Sequence, residues 1–442
     1  MPPLWEQGGR RGVVGESVLT TGFARADGAG TLSCEGVPLD RIADDVGTPA
    51  YVYSAAMVRD RFTRLDSVLA PLPHRVHYTL KANSNAGLLR VLKELGAGVD
   101  VVSGGELFRA QRAGFRGEDI VFGGVGKTER ELREALEARV MLINVESESE
   151  VRLLDRIAGE LGVVAPIGLR VNPEVTVDSS HRYIKTGEKG AKFGVPFDDV
   201  LAVAHVAARL ANAQLLGLDM HIGSQLFRLD PYLDGVERLI GLLDELRAAG
   251  IDTIRYLDIG GGLGVSYDDE ETPDLQRFAR SLVTRVQPTG LTLLMEPGRF
   301  VVGNAGVLLT RVLYRKHSGG RDFLITDAGM TELIRPSHYD AYHRIEAVNP
   351  RGGRMTADVV GPVCESGDFL ALDREMDEAK AGDLLAVYDV GAYGYVMASN
   401  YNTRPRGAEV LVDGDRYAVM TARERYEDLV RLEVQDPEWR KG

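Results

Sequence analysis

Two cysteines in 442 residues, Cys34 and Cys364, cannot build a disulfide framework, and they suit the reducing cytoplasm. Positive charge is also scarce: 52 Lys and Arg face 65 Asp and Glu, a formal charge of -13. The basic stripe that nucleic-acid binding needs is therefore missing. No apolar run approaches the length required to span a bilayer. Arg10 and Arg11 form a twin-arginine pair, but no apolar stretch follows them, so a secretion signal is not expected. Low-complexity linkers are absent as well. These gaps leave a soluble cytoplasmic protein with a small-molecule partner rather than nucleic acid or membrane.

What is present is a repeated unit: a short apolar run, a turn, then an amphipathic helix. The runs fall at 75–81, 99–103, 120–123, 140–145, 166–171, 215–222, 254–260 and 292–297. Helical patterns such as "ERELREALEARV", "SEVRLLDRIAGELG" and "YLDGVERLIGLLDELRAAG" lie between them. Strands alternating with helices imply parallel βαβ units. Eight of them in about 225 residues predict a closed (β/α)8 barrel. "AYVY" at 50–53 offers a possible ninth strand. Beyond about residue 305 the rhythm changes to short β-like runs separated by glycine and acidic turns, an all-β domain. "GTLSCEGVPL" near the N-terminus has the same character and could join it. The expected division is 1–47 as an N-terminal segment of the β domain, 48–305 as the barrel, and 306–442 as the C-terminal β domain. The first 25 residues match none of these patterns. A polar loop at 173–193 is long enough to be a lid or binding loop.

Catalytic groups of such barrels sit where strands end. Those positions hold Lys81, Ser103, Arg170, His221 with Ser224, Gly260 to Gly262, and Glu296. A lysine closing a core strand in "VHYTLKANSN" is unusual, and its company at equivalent strand exits singles it out. The favoured phosphate site lies after strands seven and eight, here "DIGGGLG" and "EPGRF". Glycines there let backbone N–H groups approach an anion. No helix starts directly after them, so a dinucleotide fingerprint lacks its context. A lysine, a phosphate cradle and a carboxylate facing one another suggest pyridoxal 5′-phosphate, with Glu296 keeping the ring nitrogen protonated. Burial is expected to depress the Lys81 pKa.

The stretches "VHYTLKANSN", "HIGSQ", "DIGGGLG", "EPGRF", "CESGD" and "GAYGYVMASNYNTRPR" resemble those of the fold-type III pyridoxal-phosphate decarboxylases, most of all the bacterial diaminopimelate decarboxylases. The resemblance runs from about residue 30 to 430. It implies a barrel followed by a β domain, and a homodimer with shared active sites. The implied activity is decarboxylation of meso-2,6-diaminopimelate to L-lysine and CO2, the last step of lysine biosynthesis. Carried over by motif, Lys81 would hold the cofactor covalently and His221 would stack on its ring. Ser224, Gly260, Gly261, Gly262, Pro297, Gly298 and Arg299 would line the cofactor, with Glu296 at the ring nitrogen. Arg299, Arg335 and Tyr339 would take the substrate carboxylate, and Tyr393 would touch both cofactor and substrate. From the neighbouring subunit, Cys364 would donate the proton and Glu365 would meet the distal amine. Asp100 and Glu106 are candidates for positioning Lys81 and His221, with a helix cap as the other role of Glu106. No metal is implied.

Overall fold

The computed structural model describes residues 22–25, 30–175, 190, 192–268, 270, 272–440 and 442. Residues 1–21, and 176–189 with 191 of the polar loop, lie outside the described residues. Eight parallel strands close into a barrel: His74–Thr79 (β1), Gly98–Val101 (β2), Ile120–Phe122 (β3), Leu142–Val145 (β4), Ala165–Asn172 (β5), Ala213–Asp219 (β6), Tyr256–Asp258 (β7) and Thr292–Met295 (β8). Each pairs with the next, and β8 returns to β1. All eight expected runs are these strands, with ends shifted by at most three residues.

Most of the described helices between them start on side-chain caps that the sequence supplies. Thr128 and Glu131 form a reciprocal capping box on Glu129–Glu137, and Ser103, Ser147 and Asn85 cap three others. Inside the barrel Val121, Leu142 and Leu294 fill one buried layer. Toward the carboxyl end the lining becomes polar. Arg170, Asp219 and Asp258 stand at one register position on β5, β6 and β7.

The "AYVY" run is no barrel strand. Ala50–Ser54 lies inside a second, nine-stranded sheet, antiparallel to Gly306–Ser318 and parallel to Ala408–Asp413. All five of its residues are buried, which is why it lacks the alternation of a half-exposed strand. Ser54 then caps the helix Ala55–Leu69, and the chain enters the barrel. The N-terminal strands Phe23–Arg25, Leu32–Cys34 and Val37–Pro38 form a small sheet of their own. It is tied to the larger one by Leu32 N–H to the Val348 carbonyl (2.8 Å) and by Arg25 to the Ala347 carbonyl (2.5 Å).

Barrel and β sheet meet backbone to backbone at Gly391. Its N–H donates to the Gly303 carbonyl at 3.0 Å, and its carbonyl accepts from the Asn83 amide at 2.9 Å. A Cβ there would stand 1.7 Å from the Val302 carbonyl oxygen. Gly391→Ala should destabilise the protein by about 1–3 kcal/mol, the usual range for overpacking. A urea midpoint that does not fall would show that this junction yields freely.

Candidate active site

Lys81 leaves β1 on a turn that is fixed on all sides. Tyr78 donates its hydroxyl to the Asn83 carbonyl (2.8 Å), and the Asn83 side chain accepts from Asn85 N–H (3.0 Å). Asn85 in turn caps the helix Ala86–Glu94. The lysine is thereby aimed into a cavity of about 860 Å³ and is, among the described residues, the one lysine in its lining. Ser103, Arg170, His221, Ser224, Arg299, Arg335, Tyr339 and Tyr393 share that lining. Nine positions read from strand exits and motifs, from Lys81 to Tyr393, thus meet in one space of ligand size.

Lys81 Nζ lies 3.5 Å from Asp100 Oδ2. Burial pulls the ammonium down, but Asp100 and Glu296 outweigh it and hold the pKa above the ordinary lysine value. The expected depression is therefore corrected: the barrel mouth carries more carboxylates than the lysine pattern revealed. His221 goes the other way. Burial, then Lys81 and Arg170, push its pKa well down, so the imidazole is neutral. Its Nδ1 accepts Gly261 N–H at 3.3 Å.

Glu296 and Gly260 to Gly262 stand beside the lining residues rather than in the cavity wall itself. Glu296 is 7% exposed, and its N–H donates to the Gly260 carbonyl at 2.8 Å. The three glycines are a packing requirement. Cβ atoms on Gly260, Gly261 and Gly262 would stand 2.2–2.4 Å from carbonyl oxygens of Met220, Glu296 and Gly223, in the loops after β6 and β8. Gly260 and Gly262 also have φ of +67° and +102°. In "EPGRF", the Pro297 carbonyl accepts Thr79 N–H at 3.2 Å, and a Cβ on Gly298 would strike the Thr79 side chain at 2.6 Å. Three loops are thus drawn together around the β7 exit.

Arg299 and Arg335 are 8% and 6% exposed, and among the described residues neither pairs with a carboxylate. Arg299 Nη1 donates to the Tyr267 hydroxyl at 2.5 Å, while its Nε has no partner. Arg335 Nη1 donates to His343 Nε2 at 2.9 Å, and His343 Nδ1–H reaches the Tyr388 carbonyl at 2.8 Å. That second bond fixes the tautomer that can accept from arginine. Burial lowers the Arg335 pKa, with Arg299 adding to it. Two desolvated guanidinium groups without a counter-ion make a receptor for an anion.

Cys364 and Glu365 are not in this cavity. Both are exposed on the β sheet domain, where Cys364 N–H donates to Asn402 Oδ1 at 2.9 Å. Motif reading passed over Asp219, Asp258, Tyr267 and His343. The two aspartates had a signal, since "GLDMH" and "YLDIG" place a charge inside an apolar strand just as "GVDVV" does. Tyr267 and His343 had none, because only the packing of the two domains brings them to the arginines. Their rings meet edge to face at 5.4 Å.

The observations suit pyridoxal phosphate: a lysine in a ligand-sized cavity, loops close-packed through glycine, a buried carboxylate, a neutral histidine, and two buried guanidinium groups that pair with no carboxylate among the described residues. Glu106 adds a titratable device. Its Oε2 accepts Val102 N–H at 2.9 Å and its N–H donates to the Ser103 cap, so the helix-cap role is realised. Burial pushes its pKa up to about 7, against that backbone bond and with Asp100 adding. Burial likewise pushes Asp258 and Asp389 to about 6. An acid whose pKa rises on folding binds more protons in the native state, so stability is full at low pH and falls as pH passes the folded value. Denaturant midpoints of the cofactor-free chain should therefore drop between about pH 4 and about pH 7, and Glu106→Gln should flatten the upper part of the slope. An identical slope in the variant would place this carboxyl in water.

Residues 55–303 match the family model described as "Pyridoxal-dependent decarboxylase, pyridoxal binding domain". The chain is 52% identical to a diaminopimelate decarboxylase of Pseudomonas aeruginosa, over 90% of this chain and 95% of that protein. It is 48% identical to one of Vibrio cholerae, over 92% and 98%. Among solved structures, diaminopimelate decarboxylase from Helicobacter pylori complexed with L-lysine superposes with a TM-score of 0.86, at 39% identity, covering 89% of this chain and 99% of that one. With its closed barrel, its second sheet and these identities over nine-tenths of its length, the chain belongs to the pyridoxal-dependent decarboxylases of fold type III.

Proposed function

We propose that this chain removes CO2 from meso-2,6-diaminopimelate to give L-lysine, the last step of lysine biosynthesis, with pyridoxal 5′-phosphate held on Lys81. The observation that carries the reading is the pair of buried, unpaired guanidinium groups, Arg299 and Arg335, in the same cavity as that lysine. Diaminopimelate offers a carboxylate and an amine at its far end, and the carboxylate is the anion this pair lacks. The lysine-bound Helicobacter pylori relative supports the same choice. In this reading the cofactor barrel runs from 55 to 305, and the strand at 50–54 belongs with the later residues of the β domain.

Pyridoxal phosphate, when bound, supplies the electron sink for the pair of electrons left on the α-carbon as CO2 departs. Neutral His221 would face the cofactor ring without competing for charge. Ser224, the loop Gly260–Gly262, Pro297 with Gly298, Arg299 and Tyr393 would hold the cofactor, and Glu296 would keep the ring nitrogen protonated. Arg299, Arg335 and Tyr339 orient the distal carboxylate, each charge-assisted bond being worth about 1.5–3 kcal/mol. The Cys364 thiol places a proton on the carbon that lost CO2, and Glu365 takes the distal amine. Because these two are exposed and do not line their own cavity, they are assigned to the site of a second copy, making the working unit a homodimer. A cytoplasmic location goes with the two cysteines, neither in a disulfide.

A substrate without the distal carboxylate leaves two cations desolvated and unpaired, so discrimination can reach about 10⁴-fold. In CO2-release assays meso-diaminopimelate should far exceed ornithine, lysine and arginine, and Arg335→Ala should erase most of that advantage by lowering kcat/KM for diaminopimelate alone. Comparable efficiency on ornithine and diaminopimelate would refute this assignment of the pocket.

Lys81→Ala and Cys364→Ala proteins should each be nearly inactive. Mixed under conditions where subunits exchange, they should regain activity from heterodimers with one intact site. Exchange without recovery would confine the site to one chain.

A further inference from the structure

Around Glu296 the barrel holds more carboxylates than it can hold charges. One carboxylate oxygen each of Asp219, Asp258 and Glu296 lies within 4.8 Å of the others. Asp258 is wholly buried and Asp219 is 3% exposed. Asp258 Oδ1 accepts Gly260 N–H at 2.9 Å. Its Oδ2, Asp219 Oδ1 and both amide atoms of Asn144 have no hydrogen-bond partner. The facing charges do not neutralise the group. Arg170 is 3.9 Å from Asp219 but commits its nearer bond, 2.9 Å, to Glu146, and Lys81 is drawn to Asp100. Three dry carboxylates this close do not ionise together; one proton is held among them.

We propose that Asp258 is the positioning residue for Glu296: the two carboxyl groups share one proton, which fixes the orientation of Glu296 and passes to the ring nitrogen of pyridoxal phosphate when the cofactor binds. A carboxyl O–H bond breaks, an N–H bond forms, and the two carboxylates then face a cation in place of a proton. Burial and the neighbouring carboxylates push the pKa of both groups upward, in keeping with a retained proton. Asp258 also anchors Gly260, so one side chain sets both the glycine loop and the carboxylate beside it. The inference rests on the cofactor reading above and goes beyond it by assigning a role to a residue outside the cavity lining.

The test is a double-mutant cycle on pyridoxal phosphate affinity, measured by equilibrium dialysis of the cofactor-free protein. Asp258→Asn keeps an oxygen for Gly260 N–H but cannot share the proton. It should weaken binding about tenfold in the wild-type background and by less than about twofold in Glu296→Gln, because coupled residues are not additive. Equal losses in both backgrounds would overturn the proposal, since a merely structural defect adds. A second measurement needs no Asp258 variant. Infrared difference spectra of the wild-type chain on adding pyridoxal phosphate should show a protonated-carboxyl band disappearing, and Glu296→Gln should abolish that change. A band that persists would overturn the shared proton. If wild-type protein binds no pyridoxal phosphate, the cofactor reading falls with it, an outcome distinct from binding without coupling.

Discussion

Attraction between the Lys81 ammonium and the carboxylates around it holds the mouth of the barrel together. Asp100 stands 3.5 Å away and Glu296 acts alongside it. Without that cation the acidic lining would repel itself. Two like charges about 4 Å apart in a medium of effective dielectric about 20 cost about 4 kcal/mol. Keeping one carboxyl protonated at neutral pH costs about the same. Burial adds to the penalty on charge and tips the balance, which is why Asp219, Asp258 and Glu296 all shift upward. The site is thus electrostatically arranged for a ligand that brings a positive ring nitrogen to one end and negative groups to the other.

The negative groups are met by a different construction. Arg299 comes from the turn after β8, whereas Arg335, His343 and Tyr388 belong to the β domain. Tyr393 follows from the same domain at a φ of +57°, its N–H on the Ala82 carbonyl at 2.8 Å, with its ring 4.7 Å from the Arg299 guanidinium. Neither domain alone contains the anion receptor. The strand at 50–54, buried in the second sheet and followed at once by a barrel helix, and the Gly391 contact with Val302 and Gly303 hold the two halves in register. Displacing that junction would separate Arg299 from Arg335 before it disturbed either domain's own core.

Much of this was legible in the residues because barrel geometry turns sequence position into spatial position. A polar residue ending an apolar run lies at the carboxyl face wherever the run occurs, so Lys81, Arg170, His221 and Glu296 could be grouped without coordinates. The same logic failed for "AYVY", which reads as a strand from its residues but carries no mark of which sheet it joins. It failed too for the Lys81 pKa, since the sign depends on how many carboxylates converge, and convergence is a distance rather than a pattern.

The sequence by itself determined the eight-strand rhythm, the helix caps, the glycine loop and the motif residues, because each follows from local periodicity or from a short stretch acting as a unit. Only the tertiary structure decided that Tyr267 and His343 serve the arginines, that Asp219, Asp258 and Glu296 crowd within 4.8 Å, and that Cys364 is exposed outside the lining of its own cavity. Those facts depend on contacts between residues as far apart as 267 and 343, and such contacts are set by how two sheets pack rather than by any property of the segments that make them.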